Sequence, residues 1–256
     1  MRAVKEGRIG LSKSEFGRDR LERLHEIEGN HFWFTGRRQL VFGLLRQCPA
    51  VFAERILDVG CGTGTNTRAL LAQGRRTIAL DIRPEGLAEL HRESNVPVMQ
   101  AEAEYLPLSD ASLTGMLMLD VLEHVDDVLL LRDAYRALRP GGWVVATVPA
   151  MPWLWSYRDV GAGHKRRYTR ATFSAVMLQA GFRVHSLTYY QCLLFPLAAV
   201  SRLLGRNSAR MRDREDLPGP VLNRILGWVN RVELRLGRYV RWPFGSSLVA
   251  LCERVG

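Results

Sequence analysis

The sequence predicts an α/β protein built on a doubly wound, mostly parallel sheet, and three observations carry that prediction. From about residue 55 to residue 148, short apolar runs of strand length alternate with stretches of helical periodicity, the pattern of successive βαβ units. The first run, Ile56-Leu-Asp-Val59, enters a turn with glycine at every second position, Gly60, Gly62 and Gly64. The next, Arg76-Thr-Ile-Ala-Leu-Asp81, ends in a carboxylate about twenty residues after that loop, where a ribose diol would need a bidentate acceptor.

In chain order, the glycine loop lets a ligand lie against main chain, because a residue without Cβ takes positive φ freely. The helix expected from about Thr65 to Gln73 points its free N–H groups at the same place. The loop departs from the G-x-G-x-x-G dinucleotide spacing, so the later segments decide its meaning. These are Ala101-Glu-Ala-Glu-Tyr-Leu-Pro107, Leu117-Met-Leu-Asp-Val-Leu-Glu-His124, and Leu138-Arg-Pro-Gly-Gly142 leading into the apolar strand Trp143 to Val148. A loop from Pro149 to Tyr168 follows. Thr169 then reads as the N-cap of a helix that Gly181 ends, and Phe182 to Tyr190 alternates as a sixth strand. Between this strand and Ser247 to Arg254 lie an apolar stretch, Cys192 to Val200, and a charged one, Arg210 to Asp216. Pro218 and Pro220 precede an amphipathic helix expected over Val221 to Val240.

Taken in this order, the motifs resemble the class I S-adenosylmethionine-dependent methyltransferases, in particular the broad group that includes quinone-biosynthesis enzymes. The resemblance runs from Arg55 to Val148. It implies a Rossmann-like sheet with an antiparallel last strand, here Ser247 to Arg254, and S-adenosylmethionine as methyl donor, with S-adenosylhomocysteine as product. It further implies that Asp58 anchors the loop, that Gly60, Cys61, Gly62 and Gly64 line the methionine moiety, and that Asp81, with Ile82 beside it, takes the ribose hydroxyls. Glu102 matches the acceptor for the adenine amino group, Ala103 offers its N–H to the ring, and Asp120 sits where the fourth strand opens onto the cofactor. Thr114 departs from the acidic residue that relatives carry there.

Two flanking segments extend the resemblance. His31-Phe-Trp-Phe-Thr-Gly-Arg-Arg38 is similar to the lid helix that precedes the domain in such relatives, where Arg37 or Arg38 would meet the methionine carboxylate; a helix docked on the sheet by its aromatics is the equal alternative. Trp155-Ser-Tyr-Arg-Asp159 and Gly163-His-Lys-Arg-Arg-Tyr-Thr169 resemble a signature of bacterial methyltransferases of glycan or lipid-linked sugar pathways. His164, Tyr168, His124 and Tyr157 are the candidate catalytic residues, histidine being suited to proton abstraction near neutral pH. Against them, His164 reads equally as a structural hydrogen bonder, Lys165 to Arg167 as a solvated basic loop, and Glu123 with His124 as a solvated helix start.

Composition bounds the rest. Cys48, Cys61, Cys192 and Cys252 lie far apart with no C-x-x-C pair, which points to reduced thiols in a cytoplasm and to no metal site. The basic first residues lead into no apolar signal run. The net charge of +10 is uneven: residues 1–46 carry ten Lys/Arg against six Asp/Glu, residues 47–189 fifteen of each, and residues 190–247 ten against four. The expected organisation is a helical lid over 1–46, the cofactor-binding core over 47–190, a basic amphipathic insert over 191–246 and the final strand over 247–256. The insert is too short and charged to span a membrane; it reads as a cap helix or as a segment lying on the inner face of an anionic membrane. The expected activity is methyl transfer to a small-molecule, isoprenoid or lipid-linked acceptor, at oxygen ahead of carbon. The alternative is a nucleic-acid substrate met by the basic insert, against which no Asn/Asp-Pro-Pro-Tyr/Phe motif follows the fourth strand. A non-catalytic cofactor-binding protein is the third reading. Oligomeric state is not legible.

Overall fold

The computed structural model describes residues 27–47, 54–204 and 218–256. The expected charged stretch Arg210 to Asp216, Cys48, and the lid segment before residue 27 lie outside them. Seven strands form one sheet: β1 (Arg55–Val59), β2 (Arg76–Asp81), β3 (Val98–Gln100), β4 (Leu113–Leu119), β5 (Leu138–Pro149), β6 (Phe182–Tyr190) and β7 (Ser247–Arg254). Their order is β3-β2-β1-β4-β5-β7-β6. All neighbours run parallel except β7, which is inserted antiparallel between β5 and β6. The last strand therefore fills a slot in the sheet interior.

Every residue of β4 is buried, as expected of a central strand covered by helices on both faces. One face packs Leu57, Met116, Met118, Val144 and Ala250 against Leu130, Leu131 and Ala134 of α4 (Asp127–Ala137) and Phe173 and Met177 of α6 (Arg170–Gln179). The other face packs Ile56, Leu117, Val145 and Val249 against Val41, Leu44 and Leu45 of α1 (Phe32–Leu45). Phe32, Trp33 and Phe34 are not part of this cluster; from the C-terminal half of α1, Phe42 joins the aliphatic residues in it. The remaining helices are α2 (Thr65–Leu71), α3 (Pro84–Ser94), α5 (Tyr157–Ala162), α7 (Phe195–Leu204) and α8 (Pro220–Leu236). Helix α2 ends before the expected Gln73, with Gly74 in positive φ, and α8 ends before the expected Val240.

Strand order reverses direction between β1 and β4, so the chain leaves a crevice at the carboxyl ends of these two strands. Both sequence segments of highest interest, the glycine loop and Asp120 to His124, emerge there. Among the described residues no helix is long and apolar enough to cross a membrane.

Candidate active site

The loop after β1 is held by hydrogen bonds from three sides. Cys61 N donates to Leu80 O at 3.0 Å, and Gly62 N to Asp81 Oδ2 at 2.8 Å. The hydroxyls of Thr63 and Thr65 donate to the Glu28 carboxylate, the second at 2.6 Å. Gly60, Gly62 and Gly64 all have positive φ, but their side-chain positions differ. A Cβ on Gly60 would meet Val121 at 2.8 Å and one on Gly64 would meet Leu90 at 2.6 Å, whereas among the described residues nothing beyond its chain neighbours lies within 4 Å of a Cβ on Gly62. Two of the glycines thus serve the protein's own packing, and only Gly62 opens outward. The Cys61 side chain is turned into the core beside Ala79, Leu87 and Leu90, so only its main chain faces the crevice. Asp58 lies buried under the loop and accepts from Thr67 Oγ1 at 2.6 Å; burial pushes its carboxyl up to about 6.

Asp81 also accepts from Arg83 N at 3.0 Å through Oδ1, so each oxygen holds one N–H and keeps a lone pair. Ile82 beside it is 57% exposed. Glu102 is exposed and Ala103 half-buried in the turn after β3. Across the crevice, Asp120 has φ of 58°, a strained conformation for a residue other than glycine. The strain is held in place: its N donates to Thr147 O at 2.9 Å, its Oδ1 accepts from Thr147 Oγ1 at 3.1 Å, and its Oδ2 pairs with Arg37. The Arg37 guanidinium lies 4.4 Å from the centre of the Trp33 ring. Arg37 thus meets a carboxylate of the protein itself, where the sequence pointed to that of a ligand.

Next to Asp120 the chain turns through Glu123 and His124 and is met by the loop that follows β5. Lys165 N donates to Glu123 O at 2.7 Å, which draws that loop over the strand end. There His164 stands between two carboxyl groups. Its Nδ1 is 2.9 Å from Asp159 Oδ1, its Nε2 is 3.9 Å from Glu123 Oε1, and its ring lies edge-on to His124 with centres 4.8 Å apart. Asp159 is buried and also accepts from Ser156 N at 2.9 Å, Arg167 Nε at 2.6 Å and Arg202 at 3.0 Å. Burial alone would raise its pKa, but the His164 hydrogen bond and the Arg167 and Arg202 charges outweigh it and hold the carboxylate well below the usual range. An ionised carboxylate only accepts, so His164 Nδ1 donates to Asp159, and in the neutral imidazole Nε2 is then the acceptor nitrogen on the Glu123 side. Glu123 is fully buried rather than solvated, and neither carboxyl oxygen has a hydrogen-bond partner among the described residues. Burial, then the nearby Asp120 charge, push its pKa well above the ordinary carboxylate value and favour the neutral acid.

Comparison with known proteins follows this geometry. Residues 57–146, from β1 into β5, match the family model described as a methyltransferase domain. The chain carries a class I S-adenosylmethionine-dependent methyltransferase domain. Over 161 residues it is 29% identical to a probable S-adenosylmethionine-dependent methyltransferase of Mycobacterium tuberculosis, covering 61% of this chain and 58% of that protein. Over 95 residues it is 39% identical to the ubiquinone biosynthesis O-methyltransferase of Xylella fastidiosa, covering 34% and 39%. The chain thus spans less than two thirds of either relative. The solved 1,6-didemethyltoxoflavin-N1-methyltransferase of Burkholderia thailandensis, bound to S-adenosylhomocysteine, shares the fold at TM-score 0.56 and 17% identity, covering 93% of this chain and 86% of that one.

The methyltransferase domain offers S-adenosylmethionine a fitting cradle: bare main chain at Gly62, spare lone pairs on Asp81, and exposed apolar surface at Ile82. Beyond Asp120 the chain brings His124 and His164 together and leaves two expected residues aside. Tyr168 is buried, with its hydroxyl donating to Asp127 Oδ2 at 2.7 Å and Leu122 O at 3.2 Å; burial and the Asp127 bond raise its pKa. Tyr157 is half-buried at the start of α5, beside Arg158. Arg167 is likewise not solvated, but closes the base of the loop through Asp159 and Ala150 O. What the sequence did not disclose is the orienting role of Asp159 toward His164 and the arrival of Arg202 from α7, forty-three positions on.

Proposed function

We propose that this chain transfers a methyl group from S-adenosylmethionine to a hydroxyl of a small-molecule, isoprenoid or lipid-linked acceptor, with His164 as the general base. The observation that carries the reading is the Asp159–His164 pair, whose free Nε2 is turned toward a buried carboxyl at the carboxyl end of β4. When bound, S-adenosylmethionine supplies an electrophilic methyl carbon on a sulfonium. His164 Nε2 would take the proton from the acceptor hydroxyl as the oxygen–methyl bond forms and the methyl–sulfur bond breaks, leaving S-adenosylhomocysteine, and Asp159 would stabilise the resulting imidazolium. Glu123, 3.9 Å from Nε2 and favoured as the neutral acid by its burial, adds no second negative charge beside the base. Arg37, stacked on Trp33, holds Asp120 from the α1 side of the crevice.

The name of the Xylella relative, an O-methyltransferase, supports oxygen as the methylated atom. Incubating the protein with aqueous and organic cell extracts and methyl-deuterated S-adenosylmethionine, followed by mass spectrometry, tests the acceptor class. Label on an organic-soluble hydroxyl compound is the expected result; label confined to RNA would overturn the reading.

A further inference from the structure

Helix α8 sits with its polar side toward the protein. Asn223 Oδ1 accepts from Phe32 N at 2.8 Å, Asn223 Nδ2 donates to Asn30 O at 2.8 Å, and Asn230 Nδ2 donates to Phe32 O at 2.9 Å. Glu233 accepts from the main-chain N–H groups of Cys192 and Leu193 at 3.0 and 2.9 Å. Leu226, Asn230 and Glu233 are its buried residues. The apolar side faces out: Val221 is 69% exposed, Leu222 48%, Ile225 53%, Trp228 60% and Leu236 43%. At roughly 100° per residue these five form one continuous arc, and Arg224, Arg231 and Arg235 lie together along one border of it. A helix that merely capped the domain would be turned the other way round.

We propose that this outward face of α8 docks on an anionic lipid bilayer, with the apolar arc in the boundary between headgroups and acyl chains and the arginine border against lipid phosphates. Three observations select this occupant. The only acid in α8, Glu233, is buried, so every exposed charge on the helix is positive. Eleven of the eighteen exposed large apolar side chains among the described residues lie between Leu193 and Phe244, which concentrates them in the insert. A nucleic acid would use the arginines but would leave Val221, Leu222 and Ile225 in water, since its recognition rests on phosphate contacts and stacking. An apolar arc with a basic border is the arrangement of an interfacial helix.

The test is co-sedimentation of the full chain with phosphatidylcholine vesicles, with and without phosphatidylglycerol, alongside size-exclusion chromatography and calorimetric S-adenosylmethionine binding. One variant carries Ile225→Glu and Trp228→Glu, the other Arg224→Gln, Arg231→Gln and Arg235→Gln. All five positions are exposed, so unchanged cofactor affinity certifies the fold. The wild type is expected to sediment with the anionic vesicles. The first variant should bind them about tenfold more weakly, and the second should lose the preference for phosphatidylglycerol. Sedimentation that neither variant reduces would overturn the proposal. So would self-association abolished by the first variant in a protein that ignores vesicles, or retention on RNA without vesicle binding, because each assigns the face to another occupant.

Discussion

Asp159 receives hydrogen bonds from Ser156, His164, Arg167 and Arg202, and this crowding fixes the loop that presents His164, the base we propose. Arg202 is buried enough that its pKa falls to about 10, through burial first and the neighbouring Arg167 charge second, yet the shared carboxylate keeps both guanidinium groups in place. On the donor side, Asp81 carries the clearest single-residue prediction. Asp81→Ala should weaken S-adenosylmethionine binding at least tenfold, about 1.4 kcal/mol by calorimetry, and unchanged affinity would remove it from the cofactor site. Asp58 makes a prediction about pH. Its folded pKa of about 6 lies above the unfolded value, so the stability it contributes is present in full below about pH 4 and lost as pH rises through about 6. A shift of this size in a wholly buried group is worth on the order of 2 to 3 kcal/mol, and Asp58→Asn should flatten that part of the curve in urea unfolding. A parallel slope in the variant would mean that other groups set it. The glycine loop was legible at this scale because three positive-φ residues in five leave few alternatives. The division of labour among them was not, since Val121 and Leu90 arrive from distant segments.

Helix α1 and helix α8 cross at Gly36. A Cβ there would stand 2.7 Å from Asn230 Nδ2 and closer still to the Tyr190 hydroxyl. Gly36→Ala should therefore push α8 away and cost about 1–3 kcal/mol, the usual range for overpacking; a denaturation midpoint equal to the wild type's would show that the crossing yields freely. Local signals foretold the elements well where a cap and a periodicity agree. Thr169 caps α6 as expected, accepting from Thr172 N, and Gly181 follows its end with φ of 94°. Periodicity alone misled at α8. It announces an amphipathic helix, but which side turns inward depends on partners for Asn223, Asn230 and Glu233 that lie on α1 and after β6.

Over the whole molecule, the alternating pattern up to Val148 translated directly into the parallel sheet, because βαβ units allow few other closures. That Ser247 to Arg254 forms an antiparallel last strand came from the resemblance; its place between β5 and β6 was not legible, since its residues read only as an apolar strand. The uneven charge also has a structural counterpart: the charge-balanced segment builds six of the seven strands and most of the crevice, while the basic insert contributes α8 and its outward arginines. The central claim joins the cofactor crevice and His164 in one reaction, and methyl transfer by wild type and His164→Gln tests it most directly. With methyl-deuterated S-adenosylmethionine and the fractionated extract, the wild type should label an organic-soluble product and the variant should lose at least a hundredfold in rate, about 2.7 kcal/mol, at unchanged cofactor affinity. Equal labelling by the two proteins would contradict the account and remove His164 from the chemistry.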